Sequence, residues 1–309
     1  MSDGSSSAWR AAAATAPGEM PPRWRVWWLA ARPKTLAASV VPVLVGTSFA
    51  VANAAEHWWA ALIALLGAIG IQIGTNLHND LADFEKGADT GERLGPARAT
   101  QRGWLQVHQV RRGVWLAFGV AVACGVYLVA RGGWPVVALG LASLAAGLAY
   151  TSGPFPLAYL GLADIFVLVF FGLGAVAGTY YVQTLSLSIP VLAGGVAVGA
   201  LSTAILAVNN LRDRHTDAAA GKRTLAVRLG ATACRWEYTL AVAVAFAIPA
   251  WIALRAHPGA ALAWVSAPLA IRAVAHVWRR DGRALNPVLG ETARTLTLFG
   301  VAFAVGVAW

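Results

Sequence analysis

The stretch Ile71-Gln72-Ile73-Gly74-Thr75-Asn76-Leu77-His78-Asn79-Asp80-Leu81-Ala82-Asp83 closes a run that begins at Trp58 and is otherwise mostly Ile, Leu, Ala and Gly. Gln72, Asn76, Asp80 and Asp83 recur at steps of four, four and three, so on a helix they form a single polar stripe. Hydrocarbon is a poor solvent for that stripe, because an aspartate at mid-bilayer costs about 2.5 to 3.5 kcal/mol on insertion scales. The stripe must therefore face other helices. The chain reads as an all-α, polytopic membrane protein whose helices surround a central cavity open to the cytoplasmic side.

The rest of the chain agrees. Of 309 residues, 58% are hydrophobic and 12% charged, against about 25% charged in a soluble domain. Windows of roughly 20 apolar residues, the length that crosses a bilayer, lie at 36–55, 58–78, 114–131, 134–150, 164–184, 188–211, 237–255, 258–276 and 292–309. Nine spans are expected, with eight the alternative count. Residues 1–22 lack the basic start and apolar core of a secretory signal and read as a disordered cytoplasmic tail ahead of one transmembrane domain, 23–309. With the N-terminus inside, only Arg131 and Arg255 of the 24 Lys and Arg residues fall on the outer side, as the positive-inside rule requires. The C-terminus is then outside, and the membrane is a bacterial cytoplasmic membrane. The net charge of +10 belongs to inner loops and does not point to nucleic acid. No protein partner is indicated. Cys124 and Cys234 sit in unrelated segments with no metal or disulfide pattern.

A second stripe, Asn209, Asp213 and Asp217 at steps of four, runs towards the cytoplasmic end of the sixth window. A single acidic helix end is commonly a cap or a solvated terminus. Two acidic ends at matching depth, each followed by basic residues, point instead to a shared site. Clustered carboxylates are often stabilised by a hard divalent cation with oxygen ligands, and Mg²⁺ favours one or two carboxylates plus substrate phosphate oxygens. The ligand suggested is a diphosphate held between metal ions. Arg98, Lys222 and Arg223 suit its oxygens, although the positive-inside rule alone would also place them there. Gln72 and Asn76 need buried partners, which either a substrate or an interhelical hydrogen bond supplies.

Asn79-Asp80-Leu81-Ala82-Asp83 followed by Asp89 resembles the first aspartate motif of the UbiA superfamily of membrane prenyltransferases. Asn209-Asn210-Leu211-Arg212-Asp213 with Asp217 resembles its second. Arg32-Pro33-Lys34-Thr35-Leu36, Tyr150-Thr151-Ser152-Gly153-Pro154, Gly178-Thr179-Tyr180-Tyr181-Val182-Gln183, Gly221-Lys222-Arg223-Thr224-Leu225 and Leu285-Asn286-Pro287 resemble one branch, the 1,4-dihydroxy-2-naphthoate polyprenyltransferases of menaquinone synthesis. The resemblance runs from about residue 26 to the C-terminus. Five residues separate Asp83 from Asp89 where three are usual in the superfamily.

The resemblance implies a Mg²⁺-dependent transfer of a polyprenyl chain from an all-trans polyprenyl diphosphate to 1,4-dihydroxy-2-naphthoate, with loss of carbon dioxide and diphosphate. Asp80, Asp83, Asp89, Asp213 and Asp217 would hold the metal. Arg98, Lys222 and Arg223 would hold phosphate, while Lys34 is a candidate for the naphthoate carboxylate. Tyr150, Gln72, Asn76 and Asn209 would complete the substrate site. The rivals are a sister enzyme acting on homogentisate or 4-hydroxybenzoate or transferring a phytyl chain, and a non-enzymatic transporter whose polar residues would run through the full bilayer depth.

Overall fold

The structure is a computed structural model that describes residues 21–87, 94–95, 98–154 and 156–309. Eleven helical elements follow in order: α1 (Arg23–Ala31), α2 (Pro33–Ala52), α3 (Trp58–Glu85), α4 (Val107–Gly132), α5 (Trp134–Ala149), α6 (Leu157–Leu160), α7 (Ala163–Thr184), α8 (Ile189–Ala219), α9 (Leu225–Arg255), α10 (Pro258–Arg279) and α11 (Gly282–Ala308). Among the described residues, eight of these are long and apolar enough to cross a bilayer. A ninth apolar helix, α5, has only 16 residues, about 24 Å of rise against a hydrocarbon core of about 30 Å. All nine expected windows fall on these nine helices. The tail expected at residues 1–22 lies outside the described residues as far as residue 20.

The breaks have local causes. Arg32 sits in the left-handed region at φ 55° and Pro33 opens α2, so the chain turns between the surface helix α1 and the first long helix. Gly133 at φ 66° separates α4 from α5. In α7 the segment Leu168–Gly174 widens into a π-helix. There a Cβ on Gly172 would lie 2.5 Å from the Gly195 carbonyl oxygen and 2.6 Å from the Gly199 Cα. Only glycines allow this approach between α7 and α8, a packing mode membrane helices use in place of hydrophobic burial.

Two apolar cores result. The larger joins α2, α7, α8, α9, α10 and α11 through Phe49, Leu201, Tyr238, Phe299 and Phe303. The smaller joins α1, α3 and α4 through Val26, Leu77, Val110 and Phe118. α8 is the most buried of the long helices and α4 the least. In α5 only Gly147 is fully buried, so this helix forms a thin wall.

Candidate active site

Between the two cores lies a cavity of about 1270 Å³. Its walls are apolar over most of the depth, with Leu139, Phe166, Phe170 and Phe171 among the lining residues, and its charged residues gather at one end. Both aspartate stripes reach that end: Asp80 and Asp83 on α3, Asp213 and Asp217 on α8.

The four carboxylates are held by cations. Asp80 pairs with Arg32 and, at 3.1 Å, with Nε of Arg98. Asp83 accepts from Arg98 at 2.7 Å and from Nζ of Lys222 at 3.4 Å. The same ammonium lies 3.7 Å from Asp217, so one side chain touches both acidic clusters. Arg212 grips Asp213 at 2.8 and 2.5 Å and also donates to Asn209 Oδ1 at 2.7 Å and Asn286 Oδ1 at 3.0 Å. Asn286 in turn donates to the Leu94 carbonyl at 2.9 Å. Gly95 packs on the Arg212 guanidinium, with no room for a Cβ. Side chains from α3, α8 and α11 and the segment after α3 thus converge on one mouth.

The upper part of the first stripe serves the fold as well as the cavity. Gln72 donates to Thr35 Oγ1 at 3.2 Å. Asn76 donates to the same oxygen at 3.2 Å and to the Ala31 carbonyl at 3.0 Å. These bonds fasten α3 to the α1–α2 corner and so set Arg32 beside Asp80. The Oε1 atom of Gln72 is buried without a partner. Asn79 accepts from Thr151 at 2.8 Å, and Lys86 donates to the Thr151 carbonyl. The ammoniums of Lys86 and Lys222 lie 4.7 and 5.7 Å from the Tyr159 ring centroid, within cation–π range.

Tyr150 lines the cavity beside these groups. Burial, helped by the negative charges of Asp164, Asp217 and Asp83, pushes its phenol well above the ordinary tyrosine range, so it is a hydrogen-bond donor at any physiological pH. Arg223, by contrast, is exposed and does not line the cavity. Asp89 lies outside the described residues, as does the side chain of Lys34.

Sequence reasoning missed Arg32 and Arg212 as site residues. Arg212 is almost completely buried, yet its neighbourhood is one where the positive-inside rule already expects basic residues, which hides it. Arg32 stands in a basic stretch at the membrane margin, and only the folded chain shows its guanidinium beside Asp80.

The donor set at the mouth is oxygen only, which suits a hard cation such as Mg²⁺. Asp83 Oδ1 is buried with no hydrogen-bond partner, an atom poised for a further ligand. Among the described residues no three His, Cys, Asp or Glu side chains cluster closely enough to hold a metal by themselves. This is the expected pattern where each helix offers a pair of carboxylates and the phosphate oxygens of a substrate complete the shell.

A profile described as "UbiA prenyltransferase family" matches residues 39–290. The chain is 38% identical to the 1,4-dihydroxy-2-naphthoate octaprenyltransferase of Mycobacterium tuberculosis, over 92% of this chain and 97% of that one. It is 33% identical to the protein of the same name from Escherichia coli K12, over 92% and 96%. Among solved structures, a UbiA homolog from Aeropyrum pernix K1 superposes with a TM-score of 0.68 at 16% identity, covering 89% of this chain and 98% of that one. A UbiA homolog from Archaeoglobus fulgidus bound to DMAPP and Mg²⁺ superposes with a TM-score of 0.61 at 14% identity, covering 90% and 99%. These two likenesses establish the fold.

Proposed function

The chain belongs to the UbiA prenyltransferase family, and from that premise we propose that it transfers a polyprenyl chain from an all-trans polyprenyl diphosphate to 1,4-dihydroxy-2-naphthoate. The products are the quinol form of demethylmenaquinone, diphosphate and carbon dioxide. The relatives named for this reaction, matched over nearly their whole length, support the acceptor. The observation that carries the reading is Lys222, within 3.4 Å of Asp83 and 3.7 Å of Asp217. It makes two acidic helix ends the opposite jaws of one anion site above an apolar cavity.

The chemistry follows from the parts. Cleavage of the allylic carbon–oxygen bond leaves its electron pair on the diphosphate, and Arg98, Lys222 and Arg32 offer donors where that negative charge develops. Magnesium, held by Asp80, Asp83, Asp213 and Asp217, with Asp89 a further candidate, would supply the remaining charge neutralisation. The allylic carbon lies below the anion, where Phe166, Phe170 and Leu139 wall the cavity and keep water from capturing the cation. The ring carbon bearing the carboxylate attacks, and loss of carbon dioxide restores aromaticity. Lys34 is the candidate for that carboxylate, and the protonated Tyr150 a donor to acceptor or diphosphate. Arg223 is exposed and outside the cavity, so the diphosphate is assigned to Arg98 and Lys222 without it.

The protein is an integral membrane protein. Its basic residues support a cytoplasmic N-terminus and acidic mouth and an external C-terminus. The deciding experiment supplies purified protein with Mg²⁺, a polyprenyl diphosphate and carboxyl-labelled 1,4-dihydroxy-2-naphthoate or 4-hydroxybenzoate. Labelled carbon dioxide and a prenylated naphthoquinol from the first acceptor alone are expected. Turnover of 4-hydroxybenzoate alone would keep the reaction type and overturn the acceptor, and turnover of neither would reopen the transporter reading.

A further inference from the structure

Two adjacent amides on α8 face the same cavity with different freedom. The Asn209 oxygen is occupied by Arg212 at 2.7 Å. Asn210 lines the cavity and donates through Nδ2 to Asp164 Oδ1 at 3.4 Å, and no group of the described protein donates to its oxygen. Asp164, at the start of α7, is 5% exposed, and its backbone oxygen accepts from Thr203 of α8 at 3.4 Å. Behind it stands Glu237 of α9, its carboxyl against that of Asp164. The Asp164 Oδ2 and Glu237 Oε2 atoms are both buried, and neither has a donor.

Two acceptor-only carboxylates packed together away from water are stable only if one proton lies between them. With that proton on the Glu237 side, Asp164 keeps its other oxygen as a pure acceptor. An amide facing a pure acceptor cannot turn over, because turning would set oxygen against oxygen. Three transmembrane helices thus carry a buried polar unit, and Asn210 is its member in the cavity wall. Asn210 lies three residues from Asp213, about 4.5 Å deeper along the helix. That is the depth of the aromatic acceptor if the diphosphate sits at Asp213.

We infer that Asn210 is a specificity-determining residue that accepts a hydrogen bond from a ring hydroxyl of the acceptor, and that Asp164 and Glu237 are positioning residues that hold its carbonyl towards the cavity. The inference rests on the proposed acceptor being a hydroxylated aromatic. A fixed carbonyl demands a donor. The hydroquinol form of the ring is accepted and its quinone form, which offers only acceptors, is refused, the type of discrimination that hydrogen-bonding sites make most strongly.

The test uses the full-length protein in detergent with Mg²⁺ and a polyprenyl diphosphate, turning over 1,4-dihydroxy-2-naphthoate. 1-Hydroxy-2-naphthoate and 4-hydroxy-2-naphthoate, each lacking one hydroxyl, are added as competitive inhibitors so that ring reactivity does not enter. One should inhibit roughly 10- to 100-fold less well than the other, the loss expected for one buried hydrogen bond. Asn210→Leu should abolish that difference and raise KM for the acceptor without changing KM for the prenyl diphosphate. Asp164→Asn, which lets the amide turn, should shrink the difference. Glu237→Gln, which still donates to Asp164, should preserve it. Equal inhibition of the unmodified protein by both compounds overturns the inference even if no variant folds, and so does a difference that persists in Asn210→Leu. Absence of any naphthoate turnover by the unmodified protein overturns the proposed function and this inference with it.

Discussion

Asp217 touches a single cation, Lys222 at 3.7 Å, whereas Asp213 is tied to an arginine that also holds Asn209 and Asn286. Their substitutions should therefore differ in kind. Asp217→Asn is expected to cut turnover at least 100-fold while thermal unfolding stays within about 3 °C of the parent, since it removes one ion pair at 3.7 Å and leaves Lys222 its partner Asp83. Near-normal turnover would remove Asp217 from the metal site. Arg212→Ala should lower both, because it strands a carboxylate and two amides in a buried setting, a loss of about 3 to 5 kcal/mol. Unfolding scans in detergent separate the two cases. Lys222→Ala should mainly raise KM for the prenyl diphosphate, and an unchanged KM would leave Lys222 as a loop charge. The acidic side of this site was legible in the sequence because aspartates on apolar helices are costly and so conspicuous. Its cationic side was half hidden. Arg32, Arg212 and Arg223 look alike in a basic margin, and only the folded chain separates a half-buried and a fully buried guanidinium, both paired with aspartates, from an exposed one.

Among the elements, the contact between α7 and α8 sets the cavity wall. The π-helical segment Leu168–Gly174 meets Gly195 and Gly199 backbone to backbone, and Phe166, Phe170 and Phe171 on the same helix line the cavity. Gly199→Leu should drive α7 outwards, lower the thermal midpoint by several degrees, as a clash worth about 1 to 3 kcal/mol does, and release more prenyl alcohol through water capture of the cation. An unaltered midpoint and product ratio would show the contact to be slack. Runs of apolar residues long enough to cross a bilayer revealed the nine helices but not this feature, because a π-turn is a response to packing and leaves no signature in such a run. Nor could spacing reveal that Gln72 and Asn76 spend their amide hydrogens on Thr35 and Ala31, since those partners come from two other helices, α2 and α1, 37 and 45 residues away.

At the scale of the whole molecule, two cores flank one cavity whose acidic end lies at the ends of α3 and α8. Chelation of divalent metal should stop turnover, and restored Mg²⁺ should recover it; activity that survives exhaustive chelation would exclude the metal role. Orientation is testable through single cysteines: one placed at Gly282 should react with a membrane-impermeant reagent only after the membrane is opened, and one at Trp309 before. α5 adds a last consequence. A wall of 16 residues with one of them fully buried is held as much by surrounding acyl chains as by protein. The step that parts this wall, whether for substrate entry or product release, then works against the viscosity of the bilayer itself. The cycle should slow abruptly when the host lipid freezes into its gel phase, although the polar chemistry at the mouth has not changed at all.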